Sequence, residues 1–321
     1  MKEFLFTERL TFVLTIALND TGRNYSDLDR AKTLLDSCVS FVAPENIDKI
    51  IIICPENDIK VVQKRLAFYE AFFNLQFLNQ NHVCPVLATN PNTYDAWPKP
   101  NNGWYRQQLI KLAVHSFVNT DFYMTLDSDV IFKKRFHLSD IFMNEKSFVN
   151  VETYNDYLAL YHQNVADNER MVKMGRYKDA ERVLKLIRPV QYQESWYGET
   201  PVVLCKIMVS HLVEYLEEIW SKPWQEALID NLPWTEYAIY FLFAEHTNYL
   251  NKHHIRAGAD TILNIKYSLW LRPDCYKDGR SLETFFFDKV FDTNNSGICF
   301  VVQSYLGYEP STVRKKVSRY F

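Results

Sequence analysis

Residues 103–132, GWYRQQLIKLAVHSFVNTDFYMTLDSDVIF, contain the pattern that decides the fold. Apolar side chains recur at helical spacing over Tyr105–Val118, and the apolar run Phe122–Leu126 is typical of a buried strand. That run ends in the acidic motif Asp127–Asp129, sequence DSD. Because alternate residues of an extended chain point to the same side about 7 Å apart, the motif presents two carboxylates to one site.

The sequence before this segment alternates between strand and helix patterns. Thr11–Leu18 and Lys49–Cys54 are predicted as buried strands, with an amphipathic helix over about Ser26–Phe41 between them. A further helix is predicted over Val61–Asn74. Since a strand, a crossover helix and a parallel strand form one unit, the first half predicts an α/β domain. Ligands of such domains bind beyond the carboxyl ends of the strands, which is where the acidic motif lies.

The second half of the chain has a less regular pattern. Within residues 151–190, the stretch Asn168–Lys185 has helical periodicity but is highly charged, with few apolar positions. We interpret it as part of a helical insertion whose charges face solvent, with a docking surface as the alternative. A strongly apolar helix over Thr235–His246 and a strand within Gly297–Ser304 follow.

Composition and length exclude several classes of protein. The chain has 321 residues, with 36 Lys and Arg against 39 Asp and Glu, and a formal charge of −3. Without a basic surplus, no nucleic acid partner is expected. The apolar runs are far shorter than the roughly 20 residues that span a bilayer, and charges interrupt the N-terminal segment, so neither a membrane span nor a signal peptide is predicted. Scattered cysteines without a C-x-x-C pair are typical of reduced thiols, so we expect a cytoplasmic protein.

The acidic motif has a chemical interpretation of its own. Carboxylate oxygens are the ligands that Mg²⁺ and Mn²⁺ prefer, and such ions keep part of their coordination shell for diphosphate oxygens. On the residues alone, Asp127 could instead begin a turn. A haloacid-dehalogenase-like phosphatase also uses a D-x-D motif, but at the end of its first strand near the N-terminus. Here the motif lies in mid-chain.

Together, the helix and the acidic motif resemble those of GT-A-type (DXD) glycosyltransferases. Within that class the chain is similar to a bacterial group marked by a W-Y-R-Q-Q-x-x-K-L helix, an L-D-x-D strand end and a W-T-E-Y segment, here Trp234–Tyr237. The resemblance covers about residues 11–135 and 230–250. It implies one GT-A domain with a Rossmann-like, mostly parallel sheet flanked by helices. In that arrangement residues 1–150 bind a nucleotide-sugar donor, and residues 151–321 bind the acceptor and contain the helical insertion.

The resemblance also implies roles for particular side chains. Asp129 is the surer ligand of Mn²⁺ or Mg²⁺, and Asp127 contacts the donor ribose or reaches the metal through water. Glu236 matches an acidic residue that serves as catalytic base or binds the acceptor. His254, beside His253, is a candidate third metal ligand. The alternatives are structural: Glu236 could stabilise the start of a helix, and the histidines could be ordinary core residues.

Further residues are predicted to contact the substrates. The donor candidates are polar residues of the predicted helix and of the loop after the first strand: Arg106, Gln107, Lys111 and Asp20. For the lysine and the arginine, a solvated helix surface is the alternative. The acceptor candidates lie in the segment SWYGETP, whose aromatic faces could pack on a sugar ring: Trp196, Tyr197, Glu199 and Thr200. A buried turn is the alternative for that segment.

The sequence thus predicts a metal-dependent glycosyltransferase that moves a sugar from a nucleotide-sugar donor to a glycan or lipid-linked glycan acceptor. Its expected place is in cell-surface polysaccharide or lipopolysaccharide biosynthesis. The alternatives are the phosphatase and a nucleotide-sugar-binding protein without turnover. The C-terminal segment Ser311–Phe321 combines apolar and basic residues, so it could rest on an anionic membrane surface or dock as a terminal helix.

Overall fold

The computed structural model describes residues 9–18, 27–89 and 102–321. Asp20, a predicted donor contact, lies outside these ranges. Within them the strands are β1 (Leu10–Thr15), β2 (Ile47–Cys54), β3 (Leu75–Asn79), β4 (Phe122–Leu126), β5 (Val130–Phe132), β6 (Phe142–Met143), β7 (Lys146–Thr153), β8 (Ser195–Tyr197), β9 (Val202–Cys205), β10 (His254–Ala257) and β11 (Cys299–Val301). The α-helices are α1 (Asp27–Phe41), α2 (Ile59–Leu66), α3 (Gln80–Val83), α4 (Val86–Thr89), α5 (Asn102–Ala113), α6 (Tyr154–Leu160), α7 (Gln163–Leu184), α8 (Lys206–Trp220), α9 (Trp224–Asp230), α10 (Glu236–His246), α11 (Tyr249–His253), α12 (Phe287–Val290) and α13 (Pro310–Val317).

A five-stranded central sheet has the strand order β3-β2-β1-β4-β9. The first four strands run parallel to their neighbours, and β9 is antiparallel to β4. All six residues of β1 are buried, as expected for a strand of a parallel sheet that is covered on both faces. The predicted α/β class, with a mostly parallel sheet flanked by helices, is confirmed.

The strand register places the acidic motif at the carboxyl edge of this sheet. Leu14 of β1 pairs with Leu126 of β4, so the two strands end at the same level. The chain then continues into β5, which leaves the central sheet and pairs antiparallel with β11. The backbone oxygen of Asp129 accepts a hydrogen bond from the N–H of Val302 at 3.2 Å. Residues from the C-terminal part of the chain therefore help to fix the second aspartate.

The predicted helical insertion is present as α6 and α7 between the paired strands β7 and β8. The expectation that its charges face solvent is wrong in part, because α7 packs against α10 and buries Lys173 and Tyr177. A buried, bidentate ion pair joins the loop after α7 to α10. Its Arg188 nitrogens lie 2.8 and 2.9 Å from the carboxylate of Glu245. The insertion is thus attached firmly to the rest of the molecule.

The sequence patterns locate most of the sheet but not its edge. The strand predicted at Phe122–Leu126 has those bounds, and β1 and β2 confirm the two earlier predictions. The helix predicted over Val61–Asn74 ends at Leu66 and is followed by a 3-10 helix and by β3. The five residues of β3, LQFLN, are all half-buried, so this edge strand lacks the apolar run that identifies the buried strands.

The C-terminal segment docks on the protein as α13. Val313 and Val317 are buried in a hydrophobic cluster with Phe300 of β11. Arg314 pairs with Asp36 of α1 at 2.7 Å. Protein therefore covers the apolar side of this helix, and of the two alternatives the terminal helix is the one observed. Among the described residues, no helix combines the length and the apolar character needed to cross a membrane.

Gly297, just before β11, offers a test of this packing. Its φ is +76°, and an added Cβ would lie 2.7 Å from the Cβ of Asn264. Gly297→Ala should lower the free energy of unfolding by about 1–2 kcal/mol for the left-handed backbone and by a further 1–3 kcal/mol, approximately, for the overpacking. Urea denaturation measures the sum.

Gly307→Ala is the matched control for that experiment. Gly307 has nearly the same φ, +74°, but no atom of the described chain lies within 4 Å of an added Cβ. We expect only the backbone cost there. Equal losses for the two variants would contradict the close contact between Gly297 and Asn264.

Candidate active site

The carboxyl end of β4 faces a cleft between α5 and α10. The residues that line it come from the acidic motif, from both helices, from α7 and from the segment before β9. Among them are Lys111, Asp127, Glu199 and Glu236. With Tyr197 and Thr200, six residues predicted from the sequence as functional are thus brought together, although they are spread over more than 120 positions of the chain.

Lys111 joins two of these carboxylates. Its Nζ lies 2.8 Å from Oδ1 of Asp127 and 3.1 Å from Oε1 of Glu236, and it donates to the hydroxyl of Tyr237 at 3.3 Å. Burial disfavours a charged lysine, but Asp127, Tyr237 and Glu236 together raise the pKa of Lys111 well above its ordinary value. The lysine therefore stays protonated, and its single charge offsets part of the negative charge of the two carboxylates beside it.

Glu236 is the first residue of α10 and is 4% exposed. Its backbone N–H donates to Oε1 of Gln108 at 3.0 Å, so a side chain of α5 satisfies the start of this helix. Burial raises the pKa of Glu236; Lys111 opposes this shift and Asp127 adds to it. A carboxylate with a raised pKa in a cleft is suited to accept a proton.

Asp129 carries an oxygen that lacks a partner. The side chain is 7% exposed, and its Oδ2 accepts from the backbone N–H of Ser304 at 2.9 Å. Its Oδ1 is buried and has no hydrogen-bond partner in the described part of the chain. Burial and the neighbouring Asp127 raise the pKa of Asp129 to about 7. Because an unpaired buried oxygen costs free energy, this atom marks a position where a cation would bind.

Segments far apart in sequence hold the acidic motif along its whole length. The N–H of Asp127 donates to Oγ1 of Thr200 at 3.0 Å. The hydroxyl of Ser128 donates to Oδ1 of Asp27 in α1 at 3.2 Å. With Ser304 on Asp129, each residue of the motif is bonded to a different part of the chain. The carboxylates are therefore fixed in place before any ligand binds.

Oxygen ligands from Asp127 and Asp129 suit Mg²⁺ or Mn²⁺, and the unpaired Oδ1 of Asp129 gives such an ion a direct ligand. The residues therefore fit the metal that the resemblance implies. No group of three or more His, Cys, Asp and Glu side chains within residues 9–18, 27–89 and 102–321 is arranged to hold a metal. Substrate oxygens or water would complete the shell, as is usual for Mg²⁺.

His254 is not retained as the third metal ligand. One ring nitrogen bonds to the hydroxyl of Ser147 at 2.6 Å, and the other bonds to the hydroxyl of Tyr240 at 2.7 Å. Both nitrogens thus have protein partners, and the side chain is only 2% exposed. Burial lowers the pKa of His254 to about 3, which keeps the ring neutral. The structural alternative accounts for this residue.

Glu199, a predicted acceptor contact, is paired with two cations of α7. Lys173 lies 2.9 Å from its carboxylate, and Arg176 bonds to the same oxygen. Burial would raise the pKa of Glu199, but Arg176 and Lys173 outweigh it and hold the pKa well below its ordinary value. Neither cation is among the site residues predicted from the sequence. Their spacing of three residues, on the face that also buries Tyr177, is the signal that could have found them.

The remaining acceptor candidates have structural surroundings. Trp196 is 1% exposed, so its ring belongs to the core. Tyr197 lines the cleft, but its ring is buried and stacks on Phe241 with centroids 4.0 Å apart. Thr200 holds the acidic motif, as described above. For Trp196 the buried turn is therefore the better interpretation.

Helix α5 contributes Trp104 and Lys111 to the cleft, so Lys111 alone of the three predicted residues of this helix lines it in the described ranges. Gln108 is fully buried and bonds to α10, whereas Arg106 and Gln107 are half-buried and do not line this cleft in the described ranges. Gln107 and Gln108 precede Lys111 by four and three residues, and residues at either separation can share a helix face with it. Spacing alone therefore could not identify Gln108 as the residue that faces α10.

Two solved structures resemble this one over nearly its whole length. Mouse xyloside xylosyltransferase 1, apo form, superposes with a TM-score of 0.50 at 11% identity, covering 91% of this chain and 97% of that one. The bifunctional glycosyltransferase WbbM superposes with a TM-score of 0.51 at 10% identity, covering 95% of this chain and 47% of that one. The fold is the GT-A fold of glycosyltransferases. The chain belongs to DUF6492, a family of unknown function, whose profile matches residues 7–321. No curated protein matches the sequence.

Lys111→Met should expose the repulsion between the carboxylates that the lysine separates. We expect a loss of about 3–5 kcal/mol in the free energy of unfolding at pH 8, because buried Glu236 and half-buried Asp127 would remain without their cation. Adding Glu236→Gln should recover part of the loss, since one carboxylate is then neutral. Lys178→Met, on the exposed side of α7, is the control and should change stability by less than about 0.5 kcal/mol. Equal stability of Lys111→Met and wild type in urea denaturation would show that the ion pairs contribute nothing.

The buried, neutral His254 predicts a specific loss of stability in acid. Its pKa of about 3 lies below the value of about 6.5 in an unfolded chain. The unfolded state therefore takes up the proton first, and the free energy of unfolding falls as the pH drops from about 6.5 towards 3. The His254→Gln variant has no imidazole at this position to take up the proton. Between pH 7.5 and 4.5, wild type should lose about 2.7 kcal/mol more than the variant.

The control for the acid experiment is His162→Gln, which replaces an exposed histidine. Its pH dependence should match that of wild type. The His254→Gln variant should also keep any thermal stabilisation by Mn²⁺ that wild type shows. A loss of that stabilisation, with the acid sensitivity unchanged, would restore His254 as a metal ligand.

Proposed function

We propose that the chain is a metal-dependent glycosyltransferase that transfers a sugar from a nucleotide-sugar donor to a glycan acceptor. The observation that carries the proposal is the buried, unpaired oxygen of Asp129 beside Asp127, at the carboxyl edge of the sheet in a GT-A fold. The two solved structures named above are a xyloside xylosyltransferase and a bifunctional glycosyltransferase. Because one fold supports many activities, the proposal depends on the site rather than on that likeness.

In this proposal Asp129 and Asp127 hold Mn²⁺ or Mg²⁺. When bound, the ion would supply Lewis-acid stabilisation of the negative charge that develops on the departing nucleotide diphosphate. Residues 1–150 would bind the donor, and residues 151–321 would bind the acceptor. Lys111 keeps the carboxylate of Asp127 in one orientation through their contact at 2.8 Å.

The proposed transfer forms a bond between an acceptor oxygen and the anomeric carbon of the donor sugar, while the bond from that carbon to the diphosphate breaks. Glu236 is the residue proposed to take the proton of the acceptor hydroxyl, since its pKa is raised and it lines the cleft. Glu199 is unsuited to that role, because Arg176 and Lys173 keep it ionised. It would instead fix the positions of those two cations.

A phosphatase of the haloacid-dehalogenase type fits the structure less well than a transferase. Such an enzyme needs its D-x-D motif after the first strand, whereas here the motif follows β4. A nucleotide-sugar-binding protein without turnover would use the acidic motif, but it would have no need of a buried carboxylate whose pKa is raised, as that of Glu236 is.

The acceptor and the cellular setting complete the proposal. In this proposal the acceptor is lipid-linked, and the reaction contributes to cell-surface polysaccharide or lipopolysaccharide synthesis. The proposed location is the cytoplasm, which is supported by six free cysteine thiols.

A thermal-shift panel of UDP, GDP and CDP with their sugar conjugates, with and without Mn²⁺, tests the donor site. A ligand that binds only the folded state raises the melting temperature, so one nucleotide should stabilise wild type in the presence of Mn²⁺. Asp129→Asn should lose this shift. Glu45→Gln, which alters an exposed carboxylate, should keep it.

Glu236→Gln separates binding from turnover. The variant should keep the rise in melting temperature caused by the nucleotide. Its rate of donor turnover, measured as release of nucleotide diphosphate, should fall by about 10²–10⁴-fold. A shift by phosphorylated small molecules, with none by any nucleotide, would overturn the proposal in favour of the phosphatase. Nucleotide binding without any release of diphosphate by wild type would favour the binding protein.

A further inference from the structure

A second cleft adjoins the candidate active site. It has a volume of about 220 Å³ and is lined by α7, by the chain around Trp270 and by residues 303–305. Lys173, Arg176 and Glu199 line both clefts, so the two clefts adjoin at these residues. Burial opposes the charge of Arg176, but Glu199 and, to a smaller extent, Glu236 raise its pKa, so Arg176 lies within electrostatic reach of the proposed base. We call this second space the aromatic cleft.

Aromatic side chains form the open part of the aromatic cleft. Tyr305 is 51% exposed, and its hydroxyl donates to the backbone oxygen of Trp270, which holds the two residues together. Tyr161 lies deeper and packs on Tyr276, with ring centroids 5.1 Å apart and the ring planes tilted by 53°. Rigid aromatic faces that are partly open to solvent offer large apolar contact at little entropic cost. The apolar face of a pyranose ring fits such a surface.

The charges of the aromatic cleft are nearly balanced within the protein. Lys173 pairs with Glu199 at 2.9 Å and with Glu152 at 3.3 Å, and Arg176 also pairs with Glu199. The side chain of the remaining carboxylate, Glu169, makes no ion pair or hydrogen bond within the described residues, and Lys173 and Arg176 act on it only through their electrostatic field. With two cations and three carboxylates, the cleft carries no positive charge to attract an anion.

Glu169 is the polar group left over for a ligand. It is half-buried, and burial raises its pKa, with Lys173 opposing that shift. A half-buried carboxylate without a protein partner gains most from a ligand that donates hydrogen bonds. Sugar hydroxyls are such donors. A ligand that carries a carboxylate would instead be repelled by Glu169.

We propose that the aromatic cleft binds an uncharged saccharide, with a sugar ring against Trp270 and Tyr305 and its hydroxyls donating to Glu169. The inference rests on the proposed function, in which this saccharide is the glycan acceptor. It extends from the aromatic cleft past Arg176 towards Glu236, where its terminal hydroxyl reacts. Trp270 and Glu169 then determine acceptor specificity, in place of Trp196, which the structure buries.

Saturation-transfer NMR on the full chain, without donor, tests this binding directly. The probes are methyl β-galactoside, methyl β-glucoside, lactose and cellobiose as uncharged saccharides, and glucuronic acid as the anionic one. At least one uncharged probe should bind to wild type more tightly than glucuronic acid. Trp270→Ala and Glu169→Gln should each weaken the binding of that uncharged probe about tenfold or more.

The controls isolate the aromatic cleft from general effects of substitution. Phe286→Ala removes an aromatic ring that is 69% exposed elsewhere on the surface and should leave binding unchanged. If Trp270→Ala does not fold, Tyr305→Ala tests the same surface, because its ring is half in solvent. Preference for glucuronic acid, equal binding by these variants and wild type, or no binding by any uncharged probe would overturn the inference.

The nucleotide thermal shift separates this inference from the proposed function. If nucleotides bind with Mn²⁺ but no uncharged saccharide binds at the aromatic cleft, the acceptor inference fails while the transferase proposal stands. If a saccharide binds through Trp270 but no nucleotide binds, the transferase proposal fails. In that case the cleft is a saccharide site with another purpose.

Discussion

One buried ammonium group holds the candidate active site together. Lys111 contacts a carboxylate at the end of β4 and another at the start of α10, within 3.1 Å of each. Two ionised carboxylates at such distances repel each other strongly when little water is near, and the protonated lysine removes that repulsion. The strand end and the helix start can therefore lie side by side. Helix α7 packs on α10 and brings Lys173 and Arg176 to the same cleft. The arrangement of the cleft therefore depends on the contacts of Lys111 with the two carboxylates.

The neighbouring charges follow the same rule of internal pairing. Asp127 and Glu236 share Lys111, and Glu199 is bonded to two cations. Among the described carboxylates of the acidic motif and of the two clefts, Oδ1 of Asp129 and the side chain of Glu169 lack such a pair. These two carboxylates are therefore the anionic groups that a ligand can still pair with. They suit a cation and a polyhydroxy compound, which are the two kinds of ligand a sugar-transfer reaction brings together.

The sequence predicts the parts of this site that depend on local pattern. An apolar strand followed by DSD locates β4 and its two carboxylates, and Pro233 to Glu236 marks the start of α10. It does not predict which face of α5 meets α10, because Gln107 and Gln108 fit the spacing equally well. Nor does it predict that Lys173 is buried, since a charged helix indicates a solvated surface unless its partners are known. Those partners, Glu152 and Glu199, lie on other segments, and only tertiary structure joins them.

The bond between Ser304 and Asp129 has a consequence for synthesis of the protein. The two residues are 175 positions apart, and β11, which precedes Ser304, pairs with β5 directly after the motif. The central parallel strands can pair while the chain is still being translated, because all of them lie before residue 127. The second aspartate obtains its fixing bond only after Ser304 has left the ribosome. A growing chain can therefore pair the parallel strands of its sheet long before the bond from Ser304 fixes the second aspartate.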